Sequence, residues 1–242
     1  MSNFIYNGIS SDVLDVKVTS KTVYSSPKYD ASMVSIPGRN GEFIIPNNRY
    51  PNVSVTYNCY VPAKSIDELA VKIRNIKKWL YTEPDRYHEL SDSFDSFFYR
   101  KAVFNSKLDI KDEALKIGVF SIVFSCLPFK YSIEGEEEVE FDEEVTLNNP
   151  YPFVSKPYLK IYGSGNGSVF LSNSTGDHIW TISGINNYIE CDSELMDFYK
   201  GSTLLNSNVV GDEFPELTPG DNTISFSGGI SKIEIIPRWV CL

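Results

Sequence analysis

The sequence predicts a mostly β protein with a single amphipathic α-helix. Apolar and polar residues alternate strictly at 52–61 and 118–126, as expected for strands with one buried face. A helical spacing of three and four residues is clear at one place, around residues 65–81. From residue 157 onward, short β-rich segments alternate with turn residues, a pattern that favours a β-sandwich.

The predicted helix spans residues 65–82. Ser65 and Glu68 form a capping box, in which the serine oxygen accepts a backbone N–H and the glutamate reaches back. Because an amphipathic helix must bury its apolar stripe, we expect this helix to pack on a sheet. The predicted stripe consists of Ile66, Leu69, Ala70, Ile73, Ile76 and Leu80.

The other elements predicted for the N-terminal half are strands and one hairpin. Strands are predicted at 13–19, 52–61, 88–93, 97–104 and 115–127, with Pro128 ending the last one. A hairpin is predicted from about residue 24 to residue 45. Its turn lies at 36–41, where Gly38 and Gly41 are free to adopt positive φ.

An acidic run at 134–144 carries most of the net charge. The 242-residue chain has a formal charge of −10, and removing the eight acids of this run leaves −2. The run is predicted to be either an edge strand with a charged face or a linker. We place the domain boundary here, with an N-terminal domain at 1–133, an acidic connector at 134–146 and a β-sandwich domain at 147–242.

The second half is predicted to be all β. The expected strands are 157–162, 168–172, 178–182, 188–192, 203–206, 222–227 and 231–237. Residues 163–167 are interpreted as a glycine-rich hairpin turn, since no Lys-Ser or Lys-Thr follows and no helix begins there to hold a phosphate. Gly228 and Gly229 are interpreted as the turn between the last two strands.

Composition and motifs predict no cofactor, no metal and no catalytic centre. Lys and Arg are scattered, so no nucleic-acid partner is expected, and no apolar segment is long enough for membrane insertion. The N-terminal residues lack the features of a signal peptide. The four cysteines form no CxxC pair and are predicted to be buried free thiols: Cys59, Cys126, Cys191 and Cys241.

A few residues could nevertheless carry chemistry. His88 and His178 are the two histidines, and no nucleophile motif accompanies either of them. Asp192 and Glu194 are candidates for a glycosidase pair by residue type, although a turn after a strand explains them equally well. Trp180 and Tyr188 could stack on a sugar ring or face the core of the sandwich.

Several segments, in this order and spacing, resemble the distal tail proteins (Dit) of long, flexible-tailed phages. They lie at 4–12, 36–41, 78–80, 87–92, 157–165, 189–194 and 217–224, and the second contains a Pro-Gly-Arg-x-Gly turn. The resemblance implies an N-terminal split β-barrel with one helix and a hairpin, followed by a galectin-like β-sandwich. It also implies a homo-hexameric ring that joins the tail tube protein to the tip or receptor-binding proteins of the virion, assembled in the host bacterial cytoplasm.

The residues themselves fit a structural hub rather than an enzyme. A closed ring needs a head-to-tail interface, and strand pairing between subunits would satisfy open backbone groups. We expect the hairpin, with Gly38, Arg39 and Gly41 at its tip, to make ring contacts; the alternative is an ordinary surface turn. The alternative function is carbohydrate binding by the sandwich through Trp180 or Tyr188.

Overall fold

The computed structural model describes residues 3–113, 116–211 and 213–242. The chain divides into two compact units. The N-terminal unit ends at Lys130 and also includes the last residue, Leu242, and the C-terminal unit spans Tyr131–Cys241. Across these described residues the fold is mostly β with one α-helix, as predicted, and none of the sheets closes into a barrel. The domain limits inferred above from the acidic run remain a prediction.

The elements that begin in the N-terminal unit are ten strands and the helix. The strands are β1 (Phe4–Tyr6), β2 (Ile9–Ser10), β3 (Lys17–Lys21), β4 (Ala31–Ser35), β5 (Glu42–Pro46), β6 (Val53–Pro62), β7 (His88–Asp92), β8 (Phe98–Val103), β9 (Ile110–Glu113) and β10 (Ile117–Ser132). The helix is α1 (Ile66–Leu80), and a short 3₁₀ turn covers Ser11–Leu14. The main sheet has the order β2-β1-β7-β8-β10-β6-β3, with β9 beside β10.

The helix packs on this sheet through a stripe that differs slightly from the predicted one. Leu69, Ile76 and Leu80 are buried as expected, but Ile66 is exposed and Trp79 is buried instead. The Trp79 indole N–H donates to the backbone oxygen of Tyr6 at 2.9 Å, which satisfies the polar end of a buried ring. Aromatic rings of Phe4, Tyr6, Tyr57, Trp79 and Phe124 form the centre of this core.

The capping box at the start of α1 is present in a modified form. The backbone N–H of Glu68 donates to Ser65 Oγ at 3.2 Å, as predicted. The Glu68 carboxylate, however, accepts from the N–H of Lys64 at 2.9 Å, one residue before the cap. Both bonds satisfy backbone donors at or just before the helix start, where intrahelical acceptors are missing.

Two strand predictions in this unit were wrong in their bounds. Residues 11–14 form a 3₁₀ turn rather than the start of a strand, because the Ser10 side chain caps the turn and Asp15 takes a left-handed φ of 55°. The strand predicted at 115–127 continues through Pro128 to Ser132. Pro128 is tolerated because it lies beyond Cys126, the last β10 residue paired with β6. Leu115, its predicted first residue, lies outside the described residues.

The C-terminal unit is built from nine strands. They are β11 (Val139–Phe141), β12 (Val145–Asn149), β13 (Tyr158–Asn173), β14 (Gly176–Asp192), β15 (Asp197–Lys200), β16 (Thr203–Leu204), β17 (Val209–Gly211), β18 (Gly220–Ile236) and β19 (Val240–Cys241), with 3₁₀ turns at Glu134–Glu136 and Asn206–Asn208. The sheet order is β11-β18-β13-β14-β15-β16; β12 also pairs with β18, and β17 with β14. Of the two alternatives for the acidic run, its residues 139–141 form an edge strand.

Three long strands replace the hairpins predicted in this unit. The segments on either side of 163–167 belong to one strand, β13, and those on either side of Gly228 and Gly229 belong to β18. The glycines mark a bend, not a reversal: the β13 register shifts between Gly163 and Gly167, where the strands approach closely. A Cβ at Gly163 would overlap the carbonyl oxygen of Gly229. The bent strands enclose one apolar core, forming the β-sandwich.

None of the helices in the described part of the chain is long and apolar enough to span a membrane.

Candidate assembly surface

Strands β4 and β5 form a hairpin that stands apart from the other sheets. They pair in register from Ala31 opposite Pro46 to Ser35 opposite Glu42. Within the described residues, neither strand pairs with any other strand. We call residues 31–46 the arm; it confirms the predicted hairpin, with strands that begin later than residue 24.

The arm exposes large apolar side chains on both of its faces. Met33 and Ile44 share one face and are 52% and 56% exposed; Val34 and Phe43 share the other and are 41% and 48% exposed. Ile45 is also exposed. A two-stranded sheet alone is marginally stable in water, and these side chains are not buried by their own chain. The arm therefore has the composition of a contact element.

The arm ends in a tight turn built by Pro37 and Gly38. The Arg39 N–H donates to the Ile36 carbonyl at 3.1 Å, and Gly38 has a φ of 82°, which together define a type II turn. Gly41 also has a positive φ, of 80°, so the prediction for both glycines is confirmed. The Arg39 guanidinium lies 5.8 Å from the centre of the Phe43 ring, within the range of a weak cation–π contact.

Asp30 clamps the base of the arm. Its backbone N–H donates to the Arg49 carbonyl at 3.1 Å, and its carbonyl accepts from the N–H of Asn47 at 3.0 Å. Its carboxylate accepts from Asn47 Nδ2 at 2.9 Å and from Arg49 Nε at 2.6 Å. These bonds tie the two chain segments together where the strands end, and fix the direction in which the arm leaves the N-terminal unit.

The clamp has a defined pH dependence. Hydrogen bonds from Asn47 and then Arg49 hold the pKa of the Asp30 carboxyl below its ordinary value of 3.8. Because the folded-state pKa is lowered, the stabilisation is fully present above that ordinary value and is lost as the pH falls through the folded-state pKa.

We therefore predict that the amide NMR signals of Asp30 and Asn47 stay constant from pH 7 to about pH 4 and change only below it. Asp30→Asn, which keeps the shape but removes the charge, should abolish this transition. The same transition in Asp30→Asn, or a wild-type midpoint above the ordinary aspartate pKa, would contradict the clamp.

The structure places Trp180 and Tyr188 in different surroundings. Trp180 is 3% exposed, and its Nε1–H donates to the Glu213 backbone oxygen at 2.8 Å, so its ring belongs mainly to the core. One edge of it contributes to a cleft of ≈180 Å³ beside His178. Tyr188 is half-buried on the outer face of β14 and lines a separate cleft of ≈250 Å³. The two aromatic residues therefore do not form one sugar platform.

The sequence left open a catalytic role for Asp192 and Glu194. In the structure, both carboxylates make hydrogen bonds that stabilise the fold. The Asp192 carboxylate receives a bidentate pair of hydrogen bonds from Arg238, at 2.9 and 3.0 Å, and caps the N–H groups of Glu194 and Leu195. Burial alone would raise the pKa of Asp192, but the Arg238 hydrogen bonds lower it below its ordinary value. Glu194 accepts from the Tyr131 hydroxyl at 3.0 Å. Both carboxylates thus hold the turn after β14.

Removing Arg238 should destabilise the C-terminal unit strongly. Asp192 and Arg238 side chains are only 10% and 19% exposed, so Arg238→Met leaves a buried carboxylate without its partner, at a cost of about 3–5 kcal/mol. The matched control is Lys156→Met, which removes a surface pair with Glu216 at 3.9 Å and should change stability by less than about 1 kcal/mol. Equal urea midpoints for the two variants would refute this role.

The remaining candidates take structural positions. Cys59, Cys126 and Cys191 are buried as predicted, and burial raises the pKa of each thiol to about 12. Cys241 is only half-buried. His88 is buried against Tyr6, with its Nε2 3.1 Å from the Glu83 carbonyl. Within the ranges that the structure describes, no cluster of three His, Cys, Asp or Glu residues could hold a metal ion.

Similar proteins are found by comparing structures, not by comparing sequences. No family model and no curated protein sequence matches the chain. The fold matches the Dit protein of phage SPP1, described as a paradigm of the hub adsorption apparatus in phages infecting Gram-positive bacteria, with a TM-score of 0.75, 14% identity, and coverage of 97% of this chain and 98% of that one.

A second match is to a chain of the phage P2 baseplate in its activated conformation with calcium. Its TM-score is 0.52 at 10% identity, covering 97% of this chain and 96% of that one. The fold is therefore similar to that of these two phage proteins. At the level of fold, the resemblance to the distal tail protein family is confirmed.

Proposed function

We propose that this protein is a structural hub of a phage or prophage-derived tail tip, which forms a hexameric ring by head-to-tail contacts between copies. The observation that carries the proposal is the arm, whose apolar faces are unburied in the single chain. The likeness of the whole fold to the SPP1 hub protein supports the same function.

In this proposal, the arm binds a second copy of the same chain. A ring requires one surface of each copy to meet a different surface of the next. The arm supplies the first surface, and the N-terminal sheet supplies the second, because its terminal strands β2 and β3 each have one open edge in the described residues. Pairing of the arm with such an edge satisfies the open backbone hydrogen-bonding groups and at the same time buries the apolar side chains of the arm.

The ring assigned in this way joins the tail tube protein to the tip or receptor-binding proteins at the distal end of the virion tail. Its assembly takes place in the host bacterial cytoplasm, where tail components meet. The protein contributes shape and contact surface, and no reaction. Arg39, flanked by Gly38 and Gly41 at the end of the arm, contacts the neighbouring copy or the next ring component.

Variants of the arm should shift the full chain from a hexamer towards a monomer. Phe43→Ser with Ile45→Ser, or deletion of residues 37–41, removes contact area without touching the buried core, whereas Val154→Ser changes a similarly exposed residue in the C-terminal unit. Light scattering and negative-stain images should show rings of six for wild type and Val154→Ser, and smaller particles for the arm variants. Rings formed by the arm variants, or a wild-type monomer at every concentration, would refute the proposal.

Carbohydrate binding by the sandwich is the second candidate, favoured by the cleft beside Tyr188. Trp180, the other ring expected to stack on a sugar, is buried and cannot offer its face to one. A test on the isolated sandwich should use residues 131–242 rather than 147–242, because β11 and β12 pair with β18 in the same sheet. Saturable binding of neutral sugars with no ring formation would favour this candidate over the hub.

A further inference from the structure

A gap in the C-terminal sheet creates the cleft beside Tyr188. On one edge, β14 pairs with β17 up to Ile182 and with β15 from Glu190 onward. Residues 183–189 lack a strand partner on that edge in the described chain, and the resulting cleft has a volume of ≈250 Å³. Positive φ values at Gly184 and Asn187, of 70° and 67°, bend β14 here and widen the gap.

The walls of the cleft are fixed by hydrogen bonds. Ser183 Oγ donates to the Asn208 carbonyl at 3.0 Å, and Asn208 Nδ2 donates back to the Ser183 carbonyl at 3.1 Å. Lys200 Nζ donates to the Asn186 carbonyl at 2.5 Å, across the gap. Ile189 and Leu205 supply apolar lining, while Ser183, Asn186 and Thr203 supply hydroxyl and amide groups. The cleft therefore combines an apolar lining with donors suited to a polyol.

Two lysines flank the aromatic ring at the cleft. Lys160 Nζ and Lys200 Nζ lie 4.7 and 4.9 Å from the centre of the Tyr188 ring. A neutral sugar that stacked on this ring would have to displace an ammonium group, whereas an anionic ligand would be attracted by both. The charges at the ring thus select against a neutral ligand.

The nearest acids are engaged elsewhere. Glu190 accepts from the Tyr158 hydroxyl at 2.7 Å and from the Gly201 N–H at 3.1 Å, using both oxygens. Glu234 binds Lys232 at 2.8 Å and the Tyr162 hydroxyl at 2.8 Å. Across the described ranges, no carboxylate lies within ion-pair distance of Lys160 or Lys200. A hydrogen bond with Tyr162 and the charge of Glu234, its neighbour across the sheet, raise the pKa of Lys160, so its charge is partly compensated. Lys200, which lines the cleft, is therefore the main positive charge available to a ligand.

We propose that this cleft binds an anionic polyol, meaning a carboxylated sugar or a phosphorylated sugar alcohol. The anionic group lies against Lys200, and the hydroxyl groups meet Ser183, Asn186 and Thr203. Lys160, on the same tyrosine ring, adds to the attraction from a greater distance. The site is independent of the arm, so it does not rest on ring formation.

The test is a titration of the full chain with glucuronic acid, glycerol 3-phosphate and glucose, followed by protein NMR. Glucuronic acid, glycerol 3-phosphate or both should shift the signals of Tyr188 and Asn186, with affinity falling as salt is added, and glucose should not. Binding of only one anion identifies the carboxylated or the phosphorylated ligand as the source.

Lys200→Gln should weaken anion binding about tenfold, since it removes a charge-assisted contact, and Lys160→Gln should weaken it less, since Lys160 acts from outside the cleft. Gln at 200 keeps a donor for the Asn186 carbonyl, and unchanged thermal unfolding will show that the cleft is intact. Lys156→Gln, at a surface lysine outside the cleft, should bind like wild type. Glucose binding as strong as anion binding, no binding by either anion, or full affinity in both lysine variants would overturn the proposal.

Discussion

One physical constraint dominates this structure: a two-stranded sheet standing alone cannot bury the side chains on either of its faces. In β6, for example, every second residue is buried, because the elements packed on one face of the sheet cover that face. The arm has no such neighbour in the described residues, yet it carries Met33, Val34, Phe43 and Ile44. Contiguous exposed apolar surface of this kind is typical of a site of contact with another molecule.

The clamp at Asp30 and the turn at Gly38 show that the arm is built for one orientation. The clamp fixes its base by four hydrogen bonds of Asp30, one of which is also an ion pair with Arg49, and the type II turn fixes its end. A contact element with fixed ends loses less conformational entropy on association than a flexible loop. This is the property that a closed ring of identical copies requires.

The sequence predicted which segments are helix and which are strand better than it predicted where one strand ends and the next begins. Alternation and capping correctly placed β6, α1 and the first part of β10, because both signals are local. The glycines at 163–167 and 228–229 predicted reversals, but they allow close approach of bent strands, and only the tertiary pairing of β13 with β18 distinguishes the two uses. The same limit applies at Pro128, which is tolerated because β6 has already ended its pairing with β10.

The sequence could nominate residues for a candidate site by their chemical type, but it could not show which of them lie together. The turn glycines Gly38 and Gly41 carried their own signal, since positive φ is a backbone property that glycine favours. Asp192 was ambiguous because its partner Arg238 is distant in sequence, and the lysines around Tyr188 come from β13 and β15. No spacing rule within a single segment could reveal either grouping.

The most direct test of the central claim is amide hydrogen exchange of the arm in the single chain and in the assembled particle. Burial of the arm by a second copy predicts fast exchange at residues 31–46 in the monomer and strong protection in the particle, while the core strand β6 stays protected in both. Equal exchange of the arm in the two states would show that the arm is not the interface, and would contradict the account.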